Sequence, residues 1–281
     1  MKRVAHITVL ADNSVRGRAL LAEHGLAFWI EIDGRRLLFD TGQGAVLLHN
    51  AQNLGVKLEL ADAVILSHGH YDHAGGLGNA LEAAPQAKVY AHPAAFAPKY
   101  LRSDDGASRD IGIPSLCRSG VRERGSEIIW TERSTEVFPG LFTTGEIPRR
   151  TKYEDTGGPF FSDRECAQAD PLLDDQALFF DSCRGTVVLL GCAHAGVINT
   201  LQYVYELTNG KPIHTVIGGM HLLTASRDRM DRTIAALRHL EVQRVGPAHC
   251  TGLAATAELW SAFPAKCFPC AVGANVELEL S

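Results

Sequence analysis

The chain has 281 residues, 46% of them hydrophobic, and a formal net charge of −5. This composition predicts a soluble globular protein that can bury its core in one large domain or two small ones. The acidic balance, without clustered lysines and arginines, argues against nucleic acid as a partner. No apolar run approaches the roughly 20 residues of a membrane span, and the N-terminal stretch is interpreted as a first strand rather than a signal peptide. We therefore expect a cytoplasmic protein with no membrane partner.

The seven cysteines of the chain are expected to be free thiols, as in other proteins of reducing compartments. Cys267 and Cys270 form a C-x-x-C pair in "KCFPCAVG", but no second pair completes a four-sulfur metal site. We interpret both as small buried apolar residues, with redox or metal work as the alternative.

Strand-like runs alternate with helical patterns along the chain, which predicts an α/β layered fold. Three runs near the N-terminus lie close together, and Asp33-Gly34 between the second and third predicts a tight hairpin, so we expect an antiparallel meander there. The elements predicted for the first part are strands over 6–11, 27–33, 35–40, 62–67 and 88–92, and helices over 45–56 and 74–85.

The second part of the chain repeats this alternation, so two similar halves are expected. Between them, around 100–170, charges, glycines and prolines break the pattern, and we predict a lid and connecting loops there. No low-complexity linker separates the halves, and residues 1–281 are predicted to form a single domain. The predicted elements of the second part are strands over 177–182, 186–192, 213–219 and 244–249, and helices over 195–209 and 226–240.

Three histidines and one aspartate follow the buried strand that ends in "VILS". In "SHGHYDHAGGL", His68 and His70 are two residues apart, so in an extended segment their rings project to the same side and can bind one ion. Asp72 and His73 follow at the turn into the next helix, where they can address a second ion. Unpartnered imidazoles in a cluster would repel one another on protonation. The pattern therefore predicts a two-metal site rather than a histidine-rich turn without metal.

These residues resemble the metallo-β-lactamase superfamily, whose signature is His-x-His-x-Asp-His after a buried strand. The similarity extends to "LLFDTG", "LLGCAHAG", "IGGMHLL" and "GPAHCTG", and so covers nearly the whole chain. It implies an αββα sandwich with a dinuclear site at one edge, between the two halves. It also implies two divalent metal ions, usually zinc and sometimes manganese or iron, and an orienting role for Asp40 in "LLFDTG".

In the later motifs the correspondence to the family's ligand residues is less direct. Most members have an aspartate there that bridges the two metal ions, and this chain lacks it. In "GCAHAG", His194 is either a terminal ligand or a replacement for that bridge, and we favour the ligand. His249 resembles the last histidine of the family and is expected to join Asp72 and His73 on the second ion. The role of His221 stays open: it is either a metal ligand or a residue that contacts substrate or donates a proton. We slightly favour a role at the metal centre.

Several polar residues outside these motifs are candidates for substrate contact. His24 adjoins a strand that can edge the site. Arg149 and Arg150 follow "TTGEIP", with Lys152 close by, and could meet an anionic group such as phosphate, although a solvated loop is slightly favoured for these three charges. Glu146 lies near where another family ligand can arise, although we favour a solvated loop glutamate.

The resemblance implies a hydrolase in which two cations lower the pKa of a bound water, so that a metal-bound hydroxide attacks without a serine or cysteine nucleophile. Asp72 would fix or deprotonate the water, Asp40 would orient a ligand histidine, and His221 is the third catalytic candidate. The expected substrate is a small phosphodiester, ester or lactone-like molecule. It would be anionic if the arginines after "TTGEIP" contact it.

Two other functions remain open. The set of motifs resembles stand-alone hydrolases grouped with the dihydropterin–ribofuranosylaminobenzene 5'-phosphate synthases, so a synthase-like transferase is one alternative. A metal-bearing binding protein without turnover is the other. A diiron redox protein is disfavoured, because such relatives carry a glutamate where this chain has His70.

Overall fold

The computed structural model describes residues 3–103, 105–115, 117–118 and 127–281, and within these ranges the chain folds into two large β-sheets with helices on their outer faces. A smaller sheet lies beside them. The α/β layered, αββα fold predicted from the sequence is therefore confirmed. None of the helices in these ranges is long and apolar enough to cross a membrane.

The first sheet contains the predicted N-terminal meander. Antiparallel pairing joins its first three strands, and the hairpin between the second and third turns at Asp33 and Gly34, both with positive φ. The neighbouring strands then pair in parallel, so helices cross over between them. In spatial order the strands are β16 (Asn275–Glu279), β1 (Val4–Ala11), β2 (Ala27–Ile32), β3 (Arg35–Phe39), β4 (Ala63–Ile65), β5 (Lys88–Ala91) and β8 (Ile128–Trp130).

The second sheet is built from the second half of the chain and from a hairpin that precedes it. Its last three strands are parallel, so their carboxyl ends lie at one edge. In spatial order the strands are β15 (Arg244–Ala248), β14 (Ile213–Gly219), β13 (Gly185–Leu190), β12 (Ala177–Ser182), β10 (Leu141–Gly145) and β9 (Arg133–Phe138). The small sheet contains β11 (Phe160–Phe161), β6 (Tyr100–Arg102) and β7 (Ser108–Asp110).

The α-helices cover the outer faces of the two large sheets. Short 3-10 turns at Leu58–Leu60, Pro93–Phe96 and His249–Thr251 connect strands to the elements that follow. The helices are α1 (Leu47–Asn53), α2 (Tyr71–Ala74), α3 (Leu77–Ala83), α4 (Val197–Leu207), α5 (Arg227–His239) and α6 (Leu253–Ala262).

Three apolar clusters hold the layers together. Phe28 and Phe39 point into the space between the sheets and pack in one cluster with Phe180 of the second sheet. Their chain neighbours Trp29 and Leu38 point the other way and pack in a second cluster under the helices. The third cluster lies between the second sheet and α4, α5 and α6. Each fully buried side chain of this size contributes about 1.5–3 kcal/mol, so both faces of each sheet stabilise the fold.

Local structure differs from the predictions in two places. The predicted helix over 74–85 corresponds to α3, which begins only at Leu77. A separate short helix, α2, precedes it and contains Asp72 and His73, which were predicted at a turn. The segment around 100–170 contains strands that its sequence did not indicate, because exposed charges interrupt the apolar alternation in β9. β8 joins the first sheet, and β9 and β10 join the second. Positions 104, 116 and 119–126 of that segment, and residues 1–2 at the start of the sequence, lie outside the described residues.

Candidate metal centre

The predicted site residues meet where strands of both sheets end. β4 leads into the His-x-His-x-Asp-His segment, while β13, β14 and β15 lead to the later histidines. Because all four carboxyl ends face the same edge, motifs far apart in the chain come together. Neighbouring rings lie 4.3–4.9 Å apart between centroids, and the histidines so assembled are His68, His70, His73, His194, His221 and His249.

One group of potential ligands surrounds His68. Its Nε2 lies 3.0 Å from His70 Nδ1, and the ligand atoms of His68, Cys192 and His194 lie within 4.8 Å of one another. The opposite nitrogens are engaged: His68 Nδ1 lies 2.9 Å from Ser67 Oγ, and His194 Nδ1 donates to a backbone carbonyl at 2.8 Å. The engaged nitrogens fix the tautomers, so the Nε2 atoms of His68 and His194 face the group as lone-pair donors.

A second group surrounds His73. Its Nε2 lies 3.2 Å from His249 Nε2 and 3.0 Å from Cys192 Sγ. His249 Nε2 also lies 3.3 Å from Asp72 Oδ2. The opposite nitrogen of His249 lies 2.8 Å from Asn13 Oδ1, so this ring is oriented in the same way as those of the first group.

Asp40 has the contacts that its predicted orienting role requires. Its side chain is buried, and Oδ2 accepts from His73 Nδ1 at 2.7 Å. The same carboxylate accepts from the backbone and the hydroxyl of Ser67, each at 2.7 Å. One buried aspartate therefore fixes His73 directly and His68 through Ser67.

Burial keeps most of these imidazoles neutral. It lowers the pKa of His70 to about 3 and the pKa values of His221 and His249 to about 4, with neighbouring histidines and cations adding to the effect. Burial also holds the pKa values of His68 and His194 well below their usual range. A neutral imidazole is the form that binds metal, so the site is prepared for cations.

His73 and Asp72 titrate differently. Burial lowers the pKa of His73, but the carboxylates of Asp40 and Asp72 outweigh it and raise that pKa to about 9. Burial would raise the pKa of Asp72, yet His73 and hydrogen bonds from His24 and His249 hold it well below its usual range. Asp72 is therefore an ionised, buried carboxylate that needs a positive partner.

The donor set fits divalent cations. His70 Nε2, His194 Nε2 and His221 Nδ1 are buried and have no hydrogen-bond partner among the described residues. Buried polar atoms normally have partners, so such orphans indicate a missing ligand. Imidazole nitrogens, one thiol and one carboxylate form a set that suits zinc, and also iron or manganese less closely.

Cys192 is the residue that sequence reasoning missed. Its Sγ belongs both to the group with His68 and His194 and to the group with His73 and His249. Burial, and then the neighbouring Cys250, raise its thiol pKa well above the usual range, so a nearby cation is needed to form the thiolate. The available signal was its position directly after a strand, in the "GCAH" segment where the family's bridging aspartate was sought.

His221 lies in the cluster, but its role stays open. Its ring is 4.5 Å from that of His194, and it forms a further group with Cys192 and Cys250. The backbone of His221 has a φ of +46°, a left-handed conformation that turns the chain sharply after β14. A Cβ on Gly157 would come 1.9 Å from His221 Nδ1, so only glycine allows this loop to cover the ring.

The other predicted contacts divide into two sets. His24 lies at the mouth of the site, with Nε2 3.2 Å from Asp72 Oδ2. Arg149 and Arg150 do not line the site: Arg149 donates to Pro171 O at 3.3 Å, and Arg150 pairs with Glu206 on α4. The reason is that Asn199 Oδ1 on α4 accepts from the backbone of residues 150 and 151, which directs these side chains to solvent. Lys152 and Glu146 are likewise exposed and away from the cluster, as in the solvated-loop alternative.

A cavity of about 780 Å³ opens above the ligand groups. Its floor includes His70, Asp72, Cys192, His194 and His249. Its volume falls in the range of small-molecule sites.

An αββα sandwich that carries His-x-His-x-Asp-His at the carboxyl edge of its strands is the architecture of a metallo-hydrolase class. This chain belongs to the metallo-beta-lactamase superfamily, whose sequence signature matches residues 21–156. It is similar to the structure of Tm1679, described as a metal-dependent hydrolase of the beta-lactamase superfamily, with 32% identity, a TM-score of 0.84 and coverage of 98% of this chain and 99% of that one.

Two proteins of Methanocaldococcus jannaschii are also similar over most of their length. One is named 7,8-dihydropterin-6-methyl-4-(beta-D-ribofuranosyl)-aminobenzene-5'-phosphate synthase and is 29% identical over 88% of this chain and 87% of its own. The other, MJ0448, is 32% identical over 90% of this chain and 93% of its own.

Proposed function

We propose that the protein is a hydrolase with a dinuclear centre of divalent cations, most suitably zinc, acting on a small ester, phosphodiester or lactone-like substrate. The observation that carries the proposal is the pair of inward-facing ligand groups that share Cys192. Superfamily membership and the likeness to a protein described as a metal-dependent hydrolase support it.

In this proposal the two groups hold one cation each. His68, His70 and His194 hold the first. Asp72, His73 and His249 hold the second, with Cys192 available to both. When bound, such cations acidify water near neutral pH and polarise the scissile bond.

The chain's own residues supply orientation and proton handling. Asp40 holds the His73 ring in place from its Nδ1 side. Asp72, whose pKa is held low, is a poor base and would therefore position a water rather than remove its proton. His24 lies beside Asp72 with about half of its side chain exposed, so it can contact both the site and an incoming substrate. His221, whose pKa burial lowers to about 4, is neutral near pH 7 and would add a further donor beside Cys192 and Cys250.

Metal analysis followed by a hydrolysis screen tests the proposal. Purified protein would be stripped of metal, reloaded with zinc, manganese or iron, and assayed on phosphodiester, phosphomonoester, thioester and lactone substrates. We expect hydrolysis that requires metal and is lost in His68→Ala but kept in His6→Ala, whose exposed ring is remote from the site. Metal-independent hydrolysis, or none on any substrate class, would reject it.

A transferase is the second candidate, favoured by the relative that is named as a synthase. A transferase would need a second organic substrate and would release little product with water alone. Product analysis with and without an aromatic amine acceptor separates the two functions. We also propose a cytoplasmic location, which the free state of all the cysteines supports.

A further inference from the structure

We propose that the substrate is a small organic anion with a flat apolar body. Its anionic group binds Arg109 beside Tyr71, and its apolar body lies against a wall formed by Leu223, Leu253 and Trp260, all of which line the cavity. This assignment rests on the proposed function only in placing the scissile bond above the ligand groups.

The anion-binding end lies on the small sheet. Arg109 is on β7, and its Cζ lies 5.7 Å from the centre of the Tyr71 ring. Tyr71 stands in the chain between His70 and Asp72, so this guanidinium is adjacent to the candidate ligands. Of the described residues that line the cavity, Arg109 is the one arginine or lysine, and no carboxylate in the described ranges forms an ion pair with it.

A neighbouring arginine on the same sheet has a guanidinium whose hydrogen bond is made within the protein. Arg102 on β6 stacks on Phe161 at 4.7 Å and donates to the backbone carbonyl of Cys166. Arg109 contacts the ring and the phenol group of Tyr71, and its guanidinium has no other hydrogen-bond or ion-pair partner among the described residues, so most of its N–H donors are left for a ligand in the cavity that it lines. A guanidinium with free donors in that position suits a carboxylate, sulfonate or phosphate.

The apolar wall is a second part of the cavity lining. Ala255 and Leu259 of α6 pack in the core, whereas Leu253, Thr256 and Trp260 line the cavity. Residues 253, 256 and 260 are spaced three and four apart, so they share one face of the helix. Nothing in the described structure covers Leu253, which is 85% exposed, and Leu223, outside the helix, is 66% exposed.

The backbone brings Leu223 onto this wall. Gly252, at the start of α6, has a φ of +76°, and a Cβ there would come 2.6 Å from Leu223 Cδ1. The close approach makes Leu223 and the face of α6 one continuous surface. Contiguous exposed apolar surface of this kind marks a binding site.

Both ends line the same cavity as the candidate ligands His70, Asp72 and His194. Phe160 also lines it, with its ring 5.0 Å from His70 and 5.1 Å from His194. A molecule that fills the cavity can therefore contact both ends beside the candidate metal centre, with a flat group next to an aromatic ring. The cavity of about 780 Å³ suits one small organic molecule.

Binding of three probes to the zinc-loaded protein tests the assignment by calorimetry. The probes are 1-naphthalenesulfonate, which has both features, methanesulfonate, which has only the anion, and 1-naphthol, which has only the ring system. We expect the first to bind at least about tenfold more tightly than either of the others. Equal affinities for 1-naphthalenesulfonate and 1-naphthol would overturn the anion-binding end.

Variants locate the two ends. Arg109→Ala should weaken 1-naphthalenesulfonate binding about tenfold and Arg109→Lys less, whereas Trp260→Ala should weaken it about fivefold to tenfold and Trp260→Phe little. Arg133→Ala and Trp130→Ala are matched controls, because both side chains are exposed and neither lines the cavity. The conservative variants keep the test usable if an alanine variant fails to fold. Wild-type affinity in both alanine variants would overturn the proposal.

Two further readouts separate the competing explanations. Zinc-dependent hydrolysis of phenyl acetate, which has no anionic group, is measured in the wild-type protein and in the control Arg133→Ala. Its absence from both would count against the hydrolase and not against the binding assignment. Light scattering would show whether Trp260→Ala changes the oligomeric state. A dimer lost in that variant, with ligand binding unchanged, would assign the wall to a second copy of the chain and overturn the proposal.

Discussion

At the scale of single residues, the ligand groups depend on which ring nitrogen is already engaged. His73, His194 and His249 each donate a hydrogen bond from Nδ1 to a protein oxygen at 2.7–2.8 Å, so that Nε2 faces the other potential metal ligands. Outer contacts of this kind orient ligands and raise their basicity. The selectivity of the site for a cation therefore resides as much in Asp40 and Asn13 as in the histidines.

Replacing Cys192 tests the shared thiol. In Cys192→Ser the soft donor between the two groups is removed, so zinc affinity should fall by about tenfold or more. The cobalt-substituted protein should also lose its thiolate-to-metal charge-transfer absorption. Cys183→Ser is the control, because Cys183 is exposed and remote. An unchanged absorption band in Cys192→Ser would remove this residue from the ligand set.

His221→Ala separates the two roles left open for that residue. A ligand role predicts loss of bound metal and activity that depends on added metal. A proton-donating role predicts unchanged metal content, lower turnover and loss of one limb of the pH–rate profile. We expect the first result, since His221 Nδ1 is buried without a partner in the described structure and lies near Cys192 and Cys250. Full metal occupancy in the variant would contradict this expectation.

The sequence alone predicted the placement of a candidate ligand where the spacing of the residues along one segment determines their geometry. The His68-to-His73 segment follows one strand directly, so its convergence was predictable. Cys192 was not, because an isolated cysteine is by default a small buried apolar residue and only the fold brings His73 and His249 to it. The sequence could not decide between substrate contact and a solvated loop for the arginines after β10, because the backbone contact of Asn199 with that loop has no sequence signal.

At the scale of elements, a buried ion pair fixes the segment that carries His68 and His70. Lys99 Nζ donates to Asp174 at 2.8 Å and to Asp170 at 3.0 Å. The other oxygen of Asp174 accepts from Gly69 N at 2.8 Å. A Cβ on Gly69 would come 1.9 Å from a backbone carbonyl oxygen, so this glycine is required by packing as well as by the ligand spacing.

Lys99→Met tests this support. The change leaves buried carboxylates without their cation, and breaking a buried pair costs about 3–5 kcal/mol of unfolding free energy. Denaturant unfolding of the metal-free variant measures the loss. Arg227→Met is the control: its ion pairs with Asp231 and Glu258 are on the surface, and stability should hardly change. Equal stability of the two variants would show that Lys99 does not hold the segment.

Long apolar elements were predictable, and short or polar ones were not. The strands β2, β12 and β14 are nearly continuous buried runs, which only a covered sheet explains. β9 has one buried residue of six and gave no clear strand signal. β16 has the exposed and buried alternation of a strand, but over only five residues at the end of the sequence, and it was not predicted. Pairing of β16 with β1 joins the two ends of the chain, which local pattern cannot reveal.

At the scale of the whole molecule, the histidine cluster makes metal-free stability depend on pH. Folding lowers the pKa values of His70 to about 3 and of His249 to about 4, so below pH of about 6.5 the unfolded chain takes up protons that the folded chain does not. Stability should therefore fall with pH through this window, by up to about 1.4 kcal/mol per unit for each such histidine.

Two other groups do not cancel this trend. His73, with its pKa raised to about 9, contributes stability that is fully present below pH of about 6.5 and is lost only as pH rises through 9. Burial raises the pKa of Asp175 to about 7, so this carboxyl, like His73 above pH of about 6.5, acts in the opposite direction to the more numerous histidines of the cluster as pH falls. Chemical unfolding with chelator at pH 7.5 and 5 measures the difference. Greater metal-free stability at pH 5 would contradict the neutral state of the buried histidines.

The number of zinc ions bound per chain, measured after stripping, reloading and dialysis, tests the central claim most directly. Two ligand groups that share a thiol predict about two ions in the wild-type chain. They also predict a loss of bound zinc in His68→Ala, since no distant side chain can replace a removed ligand. Fewer than two tightly bound ions in the wild-type chain, or unchanged occupancy in His68→Ala, would contradict the dinuclear centre.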